Sequence, residues 1–216
     1  PTTMSATLIR GCATATASLA PITATPCPSS IVAPMALLRL RLKRSSPSAG
    51  VLRTLLDPAE VARSYERHGA AGISVLTDER FFSGTLQDLL AVRSAIALPV
   101  LRKDFILDEY QIYEAKAFGA DAVLLIASLL ERSHLTDLAG AAFSCGLECL
   151  VELYETREID ILDFDTMKLI GVNNRDLRSL QVDLSRTLTI AKHLPPDCTI
   201  VSESGITTAG DLRTLS

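Results

Sequence analysis

No aspartate or glutamate occurs in residues 1–56 of this 216-residue chain, although acidic residues outnumber basic ones overall and the formal net charge is −4. Residues 12–36 are dominated by Ala, Thr, Ser and Pro. An acid-free, Ser-rich stretch with scattered arginines has the composition of an organelle transit peptide, and the long apolar block of a secretory signal is missing. The same composition fits an extension outside the fold. The apolar run from Ala33 to Leu42 is too short and too basic to span a bilayer, which excludes a membrane protein built on it. Cysteines number five, at 12, 27, 145, 149 and 198, and none forms a Cys-x-x-Cys pair. An odd count without that spacing argues against a disulfide framework or dithiol redox motif and for a reducing compartment, with Cys145 and Cys149 read as packing residues. The three histidines, His68, His134 and His193, fall near the ends of predicted helices, so no metal centre is expected. A negative chain without interleaved aromatic and basic residues is not a general nucleic-acid binder, though local cations can still hold an anionic small molecule.

What is present is a series of short apolar runs, each ending in a polar residue. Ile73-Ser-Val-Leu-Thr77 runs into Asp78, Val100-Leu-Arg-Lys103 into Asp104, Ala122 to Ala127 into Ser128, and Cys149-Leu-Val-Glu152 into Tyr154. Leu169-Ile-Gly-Val-Asn173 and Thr199-Ile-Val-Ser-Glu203 follow. Nearly continuous apolar runs of this length suit strands covered on both faces, as parallel sheets with helical crossovers require. Helix signals lie between them. Asp57-Pro-Ala-Glu60 combines a carboxylate cap, a first-turn proline and a Glu three residues on, and Gly69 closes that helix. Asp108 with Gln111 repeats the device and Gly119 ends it. Further helices are expected from about Leu130 to Ser144, after Thr156, and from Asp183 to just before Pro195-Pro196. The repeated β-α unit predicts an α/β fold, a parallel barrel occupying residues 37–216 beneath a low-complexity or transit-like extension over residues 1–36.

In such a barrel the carboxy-terminal strand ends meet at one mouth, so Lys43, Lys103, Glu152, Asn173 and Ser204 are expected around a shared pocket. A lysine drawn partly out of water is a better proton donor near neutrality, and Glu152 is the natural base. The alternative for Lys103 and Glu152 is a purely structural ion pair, but buried pairs often fail to offset their desolvation cost, which favours function. Lys43-Arg-Ser-Ser-Pro-Ser-Ala-Gly50 places hydroxyls and flexible backbone after a first strand, where they can surround a phosphate.

Taken together these segments resemble one family. Lys43-Arg-Ser-Ser-Pro-Ser, Ile73-Ser-Val-Leu-Thr-Asp with Phe81-Phe-Ser-Gly, Leu101-Arg-Lys-Asp-Phe-Ile, Tyr110-Gln-Ile, Gly119-Ala-Asp-Ala-Val-Leu-Leu-Ile, Leu150-Val-Glu, Gly171-Val-Asn-Asn-Arg-Asp-Leu and Ser202-Glu-Ser-Gly-Ile are similar, in order and spacing, to indole-3-glycerol-phosphate synthase. The resemblance covers about residues 43 to 210. It implies a (β/α)8 TIM barrel and a carboxy-lyase of tryptophan biosynthesis. That enzyme closes 1-(2-carboxyphenylamino)-1-deoxyribulose 5-phosphate to indole-3-glycerol phosphate, with loss of carbon dioxide and water and without metal or organic cofactor. Phosphoribosylanthranilate isomerase and the tryptophan synthase α subunit share the barrel and phosphate site, but the Lys-Arg-x-Ser-Pro-Ser and Arg-Lys-Asp-Phe motifs favour the synthase.

By the same resemblance Lys103 is the general acid at the substrate carbonyl, Lys43 pairs with the substrate carboxylate, and Glu152 assists proton removal and loss of hydroxyl. Asn173 orients the intermediate and Arg175 fixes the following loop. Phe82 packs on the anthranilate ring, Ser46 and Gly205 bind phosphate, and Glu203 and Ser204 line the mouth. The partner is therefore a small phosphosugar-anthranilate, with fusion or association with other pathway enzymes also open. The expected location is cytoplasmic, or the plastid stroma if residues 1–36 are a transit peptide.

Two departures from the pattern stand out. Arg41 occupies the position where the family usually carries a glutamate. Ser216 falls in the helix after the seventh strand, so the barrel is expected to be incomplete at its C-terminus, with two open sheet edges and part of the phosphate site absent. These departures motivate the alternative of a catalytically impaired fragment or pseudoenzyme module of a fused pathway protein. A different phosphosugar isomerase is the remaining rival.

Overall fold

The computed structural model describes residues 57–176 and 179–215, together with the backbone of residues 6–10, 35–38, 45–46 and 50–51. In chain order the strands are β1 (Ala6–Arg10), β2 (Met35–Leu38), β3 (Ser45–Ser46), β4 (Gly50–Val51), β5 (Ile73–Leu76), β6 (Val100–Lys103), β7 (Ala122–Ile126), β8 (Glu148–Leu153), β9 (Leu169–Asn173) and β10 (Thr199–Ile206). The α-helices are α1 (Pro58–Arg67), α2 (Glu79–Phe82), α3 (Leu86–Ala95), α4 (Glu109–Ala117), α5 (Arg132–Ser144), α6 (Ser185–Ala191) and α7 (Ala209–Leu215). Strands β5 to β10 pair in parallel, each with the next in sequence, and form the curled portion of a (β/α)8 barrel that the strand series predicts. Sequential parallel pairing with a helix in each crossover is the connection rule that generates such a sheet.

Local chemistry sets the helix ends. Asp57 accepts from the Ala59 amide at 3.0 Å with Pro58 opening α1. In α4 the box is reciprocal, Asp108 with the amide of Tyr110 and Gln111 with the amide of Asp108. The helix series read from sequence passes over α3, which opens on a Thr85–Asp88 capping box. The helix expected after Thr156 is a six-residue 3₁₀ turn, Thr156–Ile161. There the Glu158 carboxylate folds back on the amides of Tyr154 and Glu155, and the chain leaves helical geometry at Leu162.

Strand alternation separates two cores. Val123, Leu125, Cys149, Val151, Leu153, Ile170 and Val172 pack outward with buried helix residues such as Leu89, Ile112, Leu135 and Leu138. Leu124, Leu150 and Val201, with Leu101, Ile126 and Leu169, fill the inner side of the curl. Full burial of a Leu or Ile side chain contributes about 1.5–3 kcal/mol, so these two layers are the main source of stability.

At one edge β10 also pairs antiparallel with β1, which pairs with β2. The extension assigned by composition to residues 1–36 thus contributes a strand, Ala6–Arg10, on that edge. An unpaired edge offers a row of amides and carbonyls to any apolar, β-branched segment, and Ala-Thr-Leu-Ile-Arg is one. The other end of the sheet is β5. Lys43 and Arg41 lie outside the described residues, and of the apolar run before them only Met35–Leu38 is described, as β2, paired antiparallel with β1 and not with β5. Ser46 lies in the two-residue β3, which pairs with β4 as a short hairpin. No helix among the described residues is long and apolar enough to cross a membrane.

Candidate active site

Register and alternation decide which polar strand residues meet. In β6 the outward positions Val100 and Arg102 are buried under helices, so the alternate residues Leu101 and Lys103 point to the inside of the curl. Glu152 ends the inward series of β8, Asn173 that of β9 and Glu203 that of β10, and the parallel register pairs Glu203 with Asn173. The Lys103 ammonium donates to Glu152 Oε2 at 3.1 Å and Glu203 Oε2 at 3.2 Å. Asn173 Nδ2 donates to the other oxygen of Glu152 at 3.1 Å, and the Arg175 amide donates to Asn173 Oδ1 at 3.1 Å. Glu203 is fully buried, and Lys103 keeps 16% of its side-chain surface exposed. A cation between two carboxylates is electrostatically compensated inside the protein, where one partner alone would leave an uncompensated charge.

Lys103, Glu152 and Asn173 of this cluster line a cleft of about 130 Å³. Its apolar lining is Leu76, Phe82, Phe105, Leu124 and Ile126, and Asp78, Asp104, Arg175 and Ser204 also line it. Phe82 and Phe105 sit with ring centroids 6.5 Å apart and planes tilted by 31°. Apolar and aromatic side chains sharing one cleft with Lys103 and the Glu152 carboxylate suit a ligand that is aromatic on one side and polar on the other. Among the described residues no group of three or more His, Cys, Asp or Glu side chains is arranged to hold a metal ion.

The loop after β9 is held from several directions. Arg175 Nη1 donates to the Leu180 carbonyl at 2.9 Å, and Arg186 Nη1 donates to the Asn173 carbonyl at 3.1 Å. The same Arg186 guanidinium stacks 3.8 Å over the Tyr154 ring. The Tyr154 hydroxyl donates to Asp176 at 2.6 Å, a bond that pushes the phenol above its ordinary pKa. Ser204 and Gly205 both take the left-handed region, at φ 66° and 85°. A Cβ on Gly205 would also overlap the Val182 side chain, so this position admits glycine alone.

Of the residues expected at the mouth, Lys103, Glu152, Asn173, Phe82, Arg175 and Ser204 line the cleft, Glu203 stands behind Lys103, and Gly205 follows Ser204. Phe105, Leu124 and Ile126 were not among them. Their signals are positional: Phe105 is two residues past Lys103, and Leu124 and Ile126 alternate on the inner face of β7.

Parallel strands that deliver a lysine, two carboxylates and an amide to one mouth define a barrel enzyme of the acid–base type. The family model described as indole-3-glycerol phosphate synthase matches residues 33–216, and the chain belongs to that family. The indole-3-glycerol phosphate synthase of Rhodopirellula baltica is 49% identical over 174 residues, covering 81% of this chain and 67% of the relative. That of Geobacillus kaustophilus is 47% identical over 175 residues, with 81% and 68% covered. The Burkholderia ambifaria synthase is 48% identical over 174 residues, with 81% and 67% covered.

Proposed function

We propose that the protein catalyses the decarboxylating, dehydrating ring closure of 1-(2-carboxyphenylamino)-1-deoxyribulose 5-phosphate to indole-3-glycerol phosphate. The observation that carries this reading is the Lys103 ammonium held between Glu152 and Glu203 and sharing a cleft with the apolar side chains of Phe82, Leu124 and Ile126. Membership of the synthase family supports the same reading.

The substrate's aromatic ring packs against Phe82, and its ketone oxygen faces Lys103. The ring carbon bearing the carboxylate attacks the ketone carbon, and Lys103 gives the developing alkoxide its proton. Carbon dioxide then leaves, and its bonding electron pair restores the aromatic ring. In the last stage the new hydroxyl departs as water on receiving a proton. Glu152 assists that departure and takes up the proton lost as the five-membered ring becomes indole. Asn173, bonded to Glu152, orients the carboxylate for this work. Lys43 pairs with the substrate carboxylate, and Ser46 and Gly205 hold the phosphate, with Ser204 lining the mouth beside them. Preorganised donors aimed at developing charge are worth about 3–4 kcal/mol each in such sites.

The test is direct. Incubation with the carboxyphenylamino deoxyribulose phosphate should give a rise in indole fluorescence with one carbon dioxide released per product, undiminished by a metal chelator. Substrate binding without product from folded protein would overturn the assignment.

A further inference from the structure

Asn174 is fully buried one residue beyond Asn173, and all of its side-chain capacity is directed to the bulged end of β10 and to α6. Its Oδ1 accepts from the Thr187 amide at 3.2 Å and the Thr187 hydroxyl at 2.9 Å. Its Nδ2 donates to Ser202 Oγ at 2.9 Å and to the Ser204 carbonyl at 3.3 Å. The Thr187 amide can only donate and the Ser204 carbonyl can only accept, so the amide orientation is fixed by its partners. Thr187 and Ser202 close the ring with a hydroxyl contact of 2.8 Å. The main chain joins in, as the Asn174 amide donates to the Glu203 carbonyl at 2.9 Å.

Ser204 is the residue that needs this support. It has a Cβ yet sits at φ 66°, a region that side-chain-bearing residues occupy at a cost unless the surroundings hold them there. We infer that Asn174 is a positioning residue for the left-handed turn of backbone at Ser204–Gly205, the bulge of β10. By anchoring the Ser204 carbonyl from the helix side, it presents the turn at the cleft in the geometry that receives the substrate's phosphate. The inference rests on the proposed phosphate role of that turn. Asn174 does not reach the cleft, and it acts only through residues 202–204.

The experiment is a titration of the intact protein with inorganic phosphate, followed by ³¹P line width, with thermal unfolding of each variant recorded alongside. Gly205→Ala tests the underlying reading. If phosphate binds that variant as it binds wild type, the turn is not a phosphate site and the inference falls with it. With that reading upheld, Asn174→Ala should weaken phosphate binding by roughly tenfold, and Thr187→Val, a milder change of nearly the same shape, by a few-fold in the same direction. Glycine adopts the left-handed region without support, so Asn174→Ala introduced into a Ser204→Gly background should weaken phosphate binding by less than about threefold relative to Ser204→Gly alone. Lower melting temperatures with unchanged phosphate affinity in both Asn174→Ala and Thr187→Val would show a merely structural role and overturn the inference. Equal losses in the Ser204 and Ser204→Gly backgrounds would show that Asn174 does not act through the turn.

Discussion

Replacing Gly171 with alanine adds one methyl group to the inner face of the curl, and that methyl meets the Lys103–Glu152–Glu203 cluster. A Cβ at this position would lie 2.7 Å from Glu203 Oε1, 3.4 Å from Leu150 Cδ1 and 3.6 Å from the Glu152 Cα. Non-bonded heavy atoms rest at about 3.5 Å or more, so the Glu203 carboxylate must retreat by roughly 0.8 Å. Its other oxygen accepts from Lys103 at 3.2 Å, and Lys103 is tied to Glu152 at 3.1 Å. The displacement therefore either breaks the Glu203 bond or draws the ammonium away from the cleft. Misplacement of a catalytic group by about 1 Å costs on the order of 100-fold in rate, so turnover of Gly171→Ala should fall by about 30- to 100-fold. Overpacking of a core costs about 1–3 kcal/mol, which lowers the melting temperature of a chain this size by roughly 2–12 °C and leaves it folded. The control is Gly140→Ala on α5, where an added Cβ meets nothing within 4 Å. Alanine in a helix interior is favoured over glycine by about 0.8–1 kcal/mol, so that variant should be slightly more stable and fully active. Fluorescence turnover and thermal unfolding measured on both variants decide the matter. Turnover of folded Gly171→Ala within threefold of wild type would refute the tight coupling of Glu203 to Lys103.

Other expectations follow from groups away from the cleft. Arg102 is buried on the helix side of β6 and bonds Thr77 Oγ1, the Gln111 carbonyl, Asp104 and Glu114 at 3.2, 2.8, 3.1 and 2.8 Å. Removing one partner of a buried ion pair costs about 3–5 kcal/mol, so Arg102→Met should unfold at markedly lower denaturant, and an unchanged midpoint would contradict the assignment. Burial, with a contribution from Glu148, pushes the Cys149 thiol up to about 12 from an ordinary 9.0. Because the folded value is the higher one, this thiol's contribution to stability is complete below pH 9 and is lost as pH rises from 9 towards 12. The stability difference between wild type and Cys149→Ala should shift by up to about 1.4 kcal/mol per pH unit across that window, and parallel pH profiles would speak against it.

The strand series was legible in the sequence because parallel strands are apolar on both faces and end abruptly in polar residues. Lys103, Glu152, Asn173 and Ser204 could be grouped without coordinates, since one mouth collects all such strand ends. The neighbours of those residues could not be read in the same way. Arg102 and Lys103 are adjacent cations at one strand end, and only the register places the first under α4 and the second in the cleft. Asn174 stands beside Asn173 in the motif, yet its partners come from Thr187 on α6 and from Ser202 and Ser204 on β10. Those contacts exist only after the crossover has packed. The shortened turn after Thr156 depends on Glu158 folding back to cap its own start, a competition between side chain and backbone that periodicity does not report. The strand Ala6–Arg10 was hidden by its setting in an acid-free stretch, where composition outweighs five residues of pattern.

If Lys103 is the acid of the ring closure, steady-state kinetics of Lys103→Met beside wild type with the carboxyphenylamino deoxyribulose phosphate will show it. Loss of a transition-state donor worth about 3–4 kcal/mol predicts a kcat lower by a factor of hundreds, with KM changed by no more than a few-fold. A folded Lys103→Met protein that turns over substrate at close to the wild-type kcat would contradict it.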